Sequence, residues 1–269
     1  VLRGKYTRYE KLYLYAIDGI DQEFHHLDDE DFIGYWEEED LSVLFFHRAK
    51  DDLVARLLAK KGLKLELATC VPYEKWGEGR QITPFKIGPF KWAPQWYEGE
   101  ADFYFDPGVV FGSGTHPSSR LCLKALYQLW QQEGPFGQVA DLGCGSGLIS
   151  LLAAKLGAQV LAIDINPLCV ELTQKNLRLN HLESKAQVQR ANVLSLVPYR
   201  AEVVVANLFK GLLLDLFGLP SFWQNRFYIF SGFVPSMEKE LKEALKPYAQ
   251  VIHREEEGGW VLYVAGRRR

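Results

Sequence analysis

The spacing of apolar positions changes character along the chain and divides it into two kinds of architecture. Residues 11–17 form an apolar, aromatic run that predicts a strand, and 32–36 with 41–47 predict a hairpin around the acidic turn 37–40. Helical spacing follows at Leu53, Val54, Leu57 and Leu58, with Gly62 as its stop. Leu63, Leu65 and Leu67 then alternate with Lys64 and Glu66 as a strand does. These elements predict a small α+β domain over residues 1–75. Residues 76–100 are rich in Pro, Gly and Trp and read as a connecting segment, one that packs through Trp76, Trp92 and Trp96.

From residue 101 strands and helices alternate, which predicts a mainly parallel sheet covered on both faces. Strands are expected at 138–142, 160–163, 186–189, 202–206 and 227–230, and 250–254 with 260–265 form a closing antiparallel hairpin across the turn 255–259. The sum is a seven-strand, Rossmann-like α/β sheet over 101–269. Its antiparallel end separates it from the dinucleotide-binding sheet, whose strands all run parallel.

The 269 residues are 48% hydrophobic and 24% charged, an ordinary globular balance that makes disorder the wrong default. A net charge of -3 supplies no basic field for nucleic acid or an anionic membrane, and the arginines at 267–269 read as a solvated end. Cys70, Cys122, Cys144 and Cys169 include no C-x-x-C pair and no histidine at metal spacing, so neither a metal site nor a disulfide framework is expected, and a reducing cytoplasm fits. The most apolar stretch, 148–165, is interrupted by Lys155, Gln159 and Asp164, which argues against a membrane span. Nothing in the pattern sets an oligomeric state.

The decisive chemistry lies in Val139-Ala-Asp-Leu-Gly-Cys-Gly-Ser-Gly147, where a buried strand breaks into glycines and a helix starts near Leu148. Glycines there let main-chain amides and a helix start face a ligand beyond the strand ends. The next strand ends at Asp164, 21 residues past Gly143 (164 − 143), near the spacing at which a carboxylate meets ribose hydroxyls. A nicotinamide fingerprint G-x-G-x-x-G fails, because the position three after Gly145 is Leu148. Asp141, two before Gly143, would repel a pyrophosphate but suits an ammonium or the holding of the glycine loop. S-adenosylmethionine is therefore the expected cofactor, held by Asp141, Gly143, Gly145 and Asp164.

Two further segments carry alternatives. The loop 106–119, DPGVVFGSGTHPSS, precedes a helix with Leu121, Ala125 and Leu129, and its Phe111, Thr115 and Ser119 are assigned to the cofactor. Ser118 or Ser119 is also a natural helix N-cap, and His116 either orients a substrate amine or is a hydrogen-bonded loop residue. The strand through Val203-Val-Val-Ala-Asn207 brings Asn207 to the sheet edge, where its amide either aligns cofactor and incoming amine or caps the helix at 212–217.

Together DPGVVFGSGTHPSS, DLGCGSG, AIDINP, VVVANL, SGF and the closing EEEGGWVLYVAGRRR closely resemble the ribosomal protein methyltransferase family called PrmA, from about Phe85 to the end. That resemblance implies S-adenosylmethionine-dependent methylation of lysine side chains or the terminal amine of large-subunit protein L-eleven or a related protein. It carries cofactor contacts to Ser119, Gly143, Asp164 and Asn207, and implies an N-terminal domain of ferredoxin-like β-α-β-β-α-β type that selects the substrate. Departures are HPSS for the family's HPTT, Leu208-Phe209-Lys210 after Asn207, and an acidic stretch 18–31 too short for a full first helix. A small-molecule amine methyltransferase and a noncatalytic, cofactor-stabilised binding module are the alternatives. A base methyltransferase would show Asn-Pro-Pro-aromatic where Asn207-Leu208-Phe209-Lys210 stands.

Overall fold

The computed structural model describes residues 9–38, 40–76 and 82–268, so Glu39 of the acidic turn and Arg269 of the tail lie outside the described residues. The chain divides into one unit of Val1–Gln81 with Asn166–Leu168 and a second of Ile82–Ile165 with Cys169–Arg269.

The first unit contains β1 (Lys11–Asp18), β2 (Phe32–Glu38), β3 (Leu41–Phe46), α1 (Asp51–Lys61) and β4 (Lys64–Pro72). They form an antiparallel sheet of order β2-β3-β1-β4. This is the ferredoxin-like order, with the first helix reduced to a five-residue 3-10 turn, Gln22–His26. Gly19 at φ +110° and four acids at Asp28, Asp29, Glu30 and Asp31 leave no run of helical residues there, and Asp21 caps the short turn by accepting the Glu23 N–H at 2.9 Å. α1 ends at Gly62 in the left-handed region. Its Val54 and Leu58 pack on Tyr15, Ile17, Leu44 and Phe46. Leu65 and Leu67 stay 46% and 56% exposed, so the alternation of β4 marks a strand without burying one face.

The second unit opens with β5 (Phe85–Ile87), β6 (Phe90–Pro94) and β7 (Phe103–Phe105), a small sheet within and beyond the expected connecting segment. Trp92 is fully buried there, stacked 3.8 Å from Phe103. The main layer order follows as α2 (Pro117–Glu133), β8 (Gln138–Leu142), α3 (Leu148–Lys155), β9 (Gln159–Asp164), α4 (Pro167–Leu179), β10 (Ala186–Arg190), β11 (Val203–Asn207), α5 (Lys210–Phe217), β12 (Phe227–Phe233), α6 (Glu238–Leu245), β13 (Ala249–Glu257) and β14 (Trp260–Arg267). The described strands pair as β10-β9-β8-β11-β12-β14-β13, parallel through β12 and antiparallel beyond it.

Strand alternation sends Val203 and Val205 into the core under α2 and α3, and Val204 and Ala206 into the opposite core with Leu213 and Leu241. Burial on both faces explains why β11 is apolar throughout. β8 is followed by β9 on one side and flanked by β11 on the other, so the chain direction switches between them and a crevice opens at their carboxyl ends. β13 runs on to Glu257, which narrows the expected 255–259 turn to Gly258–Gly259, both at positive φ as a tight hairpin requires. Among the described residues no helix is long and apolar enough to cross a membrane.

The closing hairpin is tied to α6 through Glu238, whose carboxylate accepts both Nε and Nη2 of Arg254 at 2.8 Å and also meets Lys242 and the Tyr263 hydroxyl. The Arg254 guanidinium is the main cause of its pKa falling from 4.5 to about 2. A lowered folded-state pKa stabilises above the unfolded value, and that stability disappears as pH falls from about 4.5 towards 2. Glu238→Gln should therefore lose about 1–2 kcal/mol at pH 7 yet show a shallower decline of Tm between about pH 5 and 3 than the parent. Parallel pH–Tm curves for the two proteins would contradict this role.

Candidate active site

β8 ends in the crevice, and the chain turns through Gly143, Gly145 and Gly147, all at positive φ, before α3 begins at Leu148. The loop is fastened to β9, because the Gly143 and Cys144 N–H groups both donate to Ile163 O at 2.8 and 3.0 Å. Side chains are excluded on several sides. A Cβ on Gly145 would sit 2.5 Å from Phe111 O, one on Gly147 2.8 Å from Thr173, and one on Gly143 would strike Leu208. The Thr173 hydroxyl donates to Gly145 O at 3.0 Å, which fixes the peptide plane.

Two carboxylates flank this loop. Asp164, at the end of β9, accepts the Gly145 N–H on Oδ2 at 3.0 Å, so its orientation is set by the loop itself. Asp141 is 1% exposed; the Ser150 hydroxyl donates to Oδ2 at 2.6 Å, while Oδ1 is buried without a hydrogen-bond partner among the described residues. Burial, reinforced by the nearby Asp164 charge and opposed by Ser150, pushes its pKa up to about 7. A buried acceptor of this kind is complementary to a cationic donor.

Across the switch point, Asn207 ends β11 with its Nδ2 3.5 Å from Ser119 Oγ at the start of α2, and its Oδ1 is a second buried acceptor lacking a partner among the described residues. Asn207 is not a helix cap: α5 begins at Lys210 after Phe209, earlier than the expected 212, and no side chain caps it. The cap of α2 also differs from expectation. Pro117, which has no N–H, occupies the first helical position, so the cap falls one residue earlier on His116, whose Nδ1 accepts the Ser118 N–H at 3.2 Å. Nδ1 also lies 2.7 Å from Ser118 Oγ, and the ring sits between Phe111 and Trp260 at centroid distances of 4.9 and 4.5 Å.

The structure thus brings Asp141, Gly143, Gly145, Asp164, Asn207 and Ser119 to one end of the sheet. Phe111 lies against the loop through its carbonyl while its ring is half exposed, and the Thr115 hydroxyl is turned to Ser113 Oγ at 2.7 Å. The four cysteines are free thiols.

The profile of one family, described as ribosomal protein L11 methyltransferase (PrmA), matches residues 18–268. The chain belongs to this family. Among PrmA relatives, the ribosomal protein L11 methyltransferase of Thermoanaerobacter sp. (strain X514) is 31% identical over 194 residues, 69% of this chain and 62% of the relative. That of Caldanaerobacter subterraneus subsp. tengcongensis is 30% identical over 210 residues, 74% and 66% of the two chains. The chain therefore spans less than two thirds of the length of these relatives. The crystal structure of the ribosomal protein L11 methylase from Lactobacillus delbrueckii subsp. bulgaricus superimposes with a TM-score of 0.61 at 26% identity, covering 70% of this chain and all of that one. The seven-strand methyltransferase fold expected from sequence is the one observed.

Sequence reasoning missed Ser150 and Thr173, which hold Asp141 and Gly145. Ser150, near the glycine loop, was within reach of a motif argument; Thr173 lies on a later helix and carries no local signal. For His116 in this PrmA chain, the geometry predicts that His116→Ala lowers stability by about 1 kcal/mol and that His116→Asn, a better cap, restores it. Equal destabilisation by both in thermal melts would refute the capping role.

Proposed function

We propose that this chain is an S-adenosylmethionine-dependent methyltransferase that modifies amine nitrogens of a ribosomal protein, the counterpart of the L11 for which its relatives are named. The observation that carries the reading is Asp164 bonded to the Gly145 amide beside two buried, unpartnered acceptors, Asp141 Oδ1 and Asn207 Oδ1. This set of acceptors fits a nucleoside joined to a cationic amino acid: Asp164 holds ribose hydroxyls, the glycine turn lets the ligand approach the backbone without side chains while its own N–H groups stay bonded within the protein, and Asp141 faces the ammonium. The cofactor supplies a methyl group already activated on sulfonium, so no metal or obligatory base is called for.

The chain's own work is alignment. Asn207 and Ser119 hold the methionine end and the attacking nitrogen in line, and His116 keeps Ser119 in place by fixing the start of α2. Free lysine, with pKa about 10.4, must lose its proton before attack, which an apolar, water-poor slot favours. Residues 1–75 select the protein substrate. A cytoplasmic location beside ribosomes follows from this reading.

Calorimetry should show saturable binding of S-adenosylmethionine and its demethylated product, no binding of NAD, and a loss of about 2–4 kcal/mol in Asp164→Ala. NAD binding without S-adenosylmethionine binding would overturn the assignment. Methyl transfer to purified ribosomal protein L11 tests the substrate, and activity confined to small amines would replace it. Asn207→Ala should reduce kcat/KM about a hundredfold with Tm nearly unchanged; normal turnover would remove Asn207 from the chemistry.

A further inference from the structure

α4 and the residue that follows it place Asn176 and Asn180 one turn apart on the same face. Asn180 Oδ1 accepts the Tyr104 N–H at 3.0 Å while its Nδ2 donates to Tyr104 O at 2.7 Å. Asn176 repeats the pattern two residues on, accepting the Asp106 N–H at 2.7 Å and donating to Asp106 O at 2.9 Å. Four residues of helix rise about 6 Å, and two residues of extended chain advance about 6.6 Å, so the two amides match the spacing of a strand's backbone groups. The helix face thus stands in for a neighbouring strand along the outer side of β7, whose other side pairs with β6.

The two asparagines then differ. The second bond of Asn180 Nδ2 returns to Asn176 O, within its own helical turn. That of Asn176 Nδ2 goes to Ser146 O in the glycine loop, at 2.8 Å. Asn176 is fully buried. It therefore joins the glycine loop to Asp106, the residue from which the 106–116 loop departs. Two more links close the frame: the Ser146 N–H donates to Phe111 O at 3.2 Å and the Ser146 hydroxyl to Gly112 O. Asp106 is itself held, through Lys175 and the Gly108 N–H.

We infer that Asn176 is a positioning residue for the cofactor, locking the glycine loop and the 106–116 loop into a single frame, whereas Asn180 only anchors β7. The inference rests on the methyltransferase reading above. Asn176→Ala should raise the Kd for S-adenosylhomocysteine and the KM for S-adenosylmethionine about tenfold or more, while Asn180→Ala, which likewise loses two bonds to the backbone of 104–106, leaves both within about twofold. Without any cofactor, amides of residues 108–114 should exchange hydrogen faster in Asn176→Ala than in Asn180→Ala. Should Asn176→Ala fail to fold, Asn176→Ser, which adds no charge and is too short to bridge the Asp106 and Ser146 backbones, carries the same comparison. Unchanged affinity in the Asn176 variant, or equal losses in both variants, would overturn the inference. If the parent protein bound no S-adenosylhomocysteine, the methyltransferase reading would fall, and hydrogen exchange would still decide whether Asn176 couples the loops.

Discussion

The site depends on one steric constraint: the turn between β8 and α3 has no room for side chains, and a different element occupies the space beside each of its three glycines. Leu208 lies against Gly143, the Phe111 carbonyl against Gly145 and Thr173 against Gly147. Those neighbours belong to the residue just after β11, the 106–116 loop and α4. Close packing transmits position, so a turn that accepts these approaches also places Asn207, Asp164 and the loop over it relative to one another. A Cβ at Gly145 would meet backbone, which cannot swing aside as a flexible side chain can.

Electrostatics build on that frame. Asp141 and Asp164 end adjacent strands, and the low-dielectric setting of Asp141 raises its pKa to about 7 while Asp164 is oriented by a main-chain donor. A buried carboxyl near its titration point, with one oxygen unsatisfied, is costly in isolation and becomes favourable opposite a cation. The protein keeps that cost beside the switch point of the sheet, where the ends of β8 and β9 meet. The same logic applies to Asn207, whose placement adds nothing to helix capping.

The start of α2 is held from the far end of the chain. His116 caps it and packs against Trp260, Pro117 lies beside Gly258, and Lys124 pairs with Glu257. The closing hairpin, which distinguishes this sheet from an all-parallel one, thus also supports the helix that carries Ser119. Membership of the PrmA family is consistent with this arrangement, since the FGSGTHPSS and EEEGGW segments that carry the resemblance meet here.

Much of this was legible without coordinates. The two-residue and helical periods of the apolar positions located the strands of the large sheet, because burial on one or both faces writes itself locally into the sequence. The glycines and the acid 21 residues beyond Gly143 marked segments that the fold brings together at one end of the sheet, since a glycine turn and the strand that follows it are also short-range features. What sequence could not decide were choices made between distant segments. The sequence offered Ser118 or Ser119 as the cap of α2, and His116 caps it instead because its lone pair reaches the Ser118 N–H; whether Asn207 caps a helix turned on where α5 starts. Thr173 and Asn176 carry no motif because their partners, Gly145, Ser146 and Asp106, lie tens of residues away. Local pattern sets which element forms and what chemistry it offers; only tertiary packing decides which backbone groups each polar side chain must satisfy.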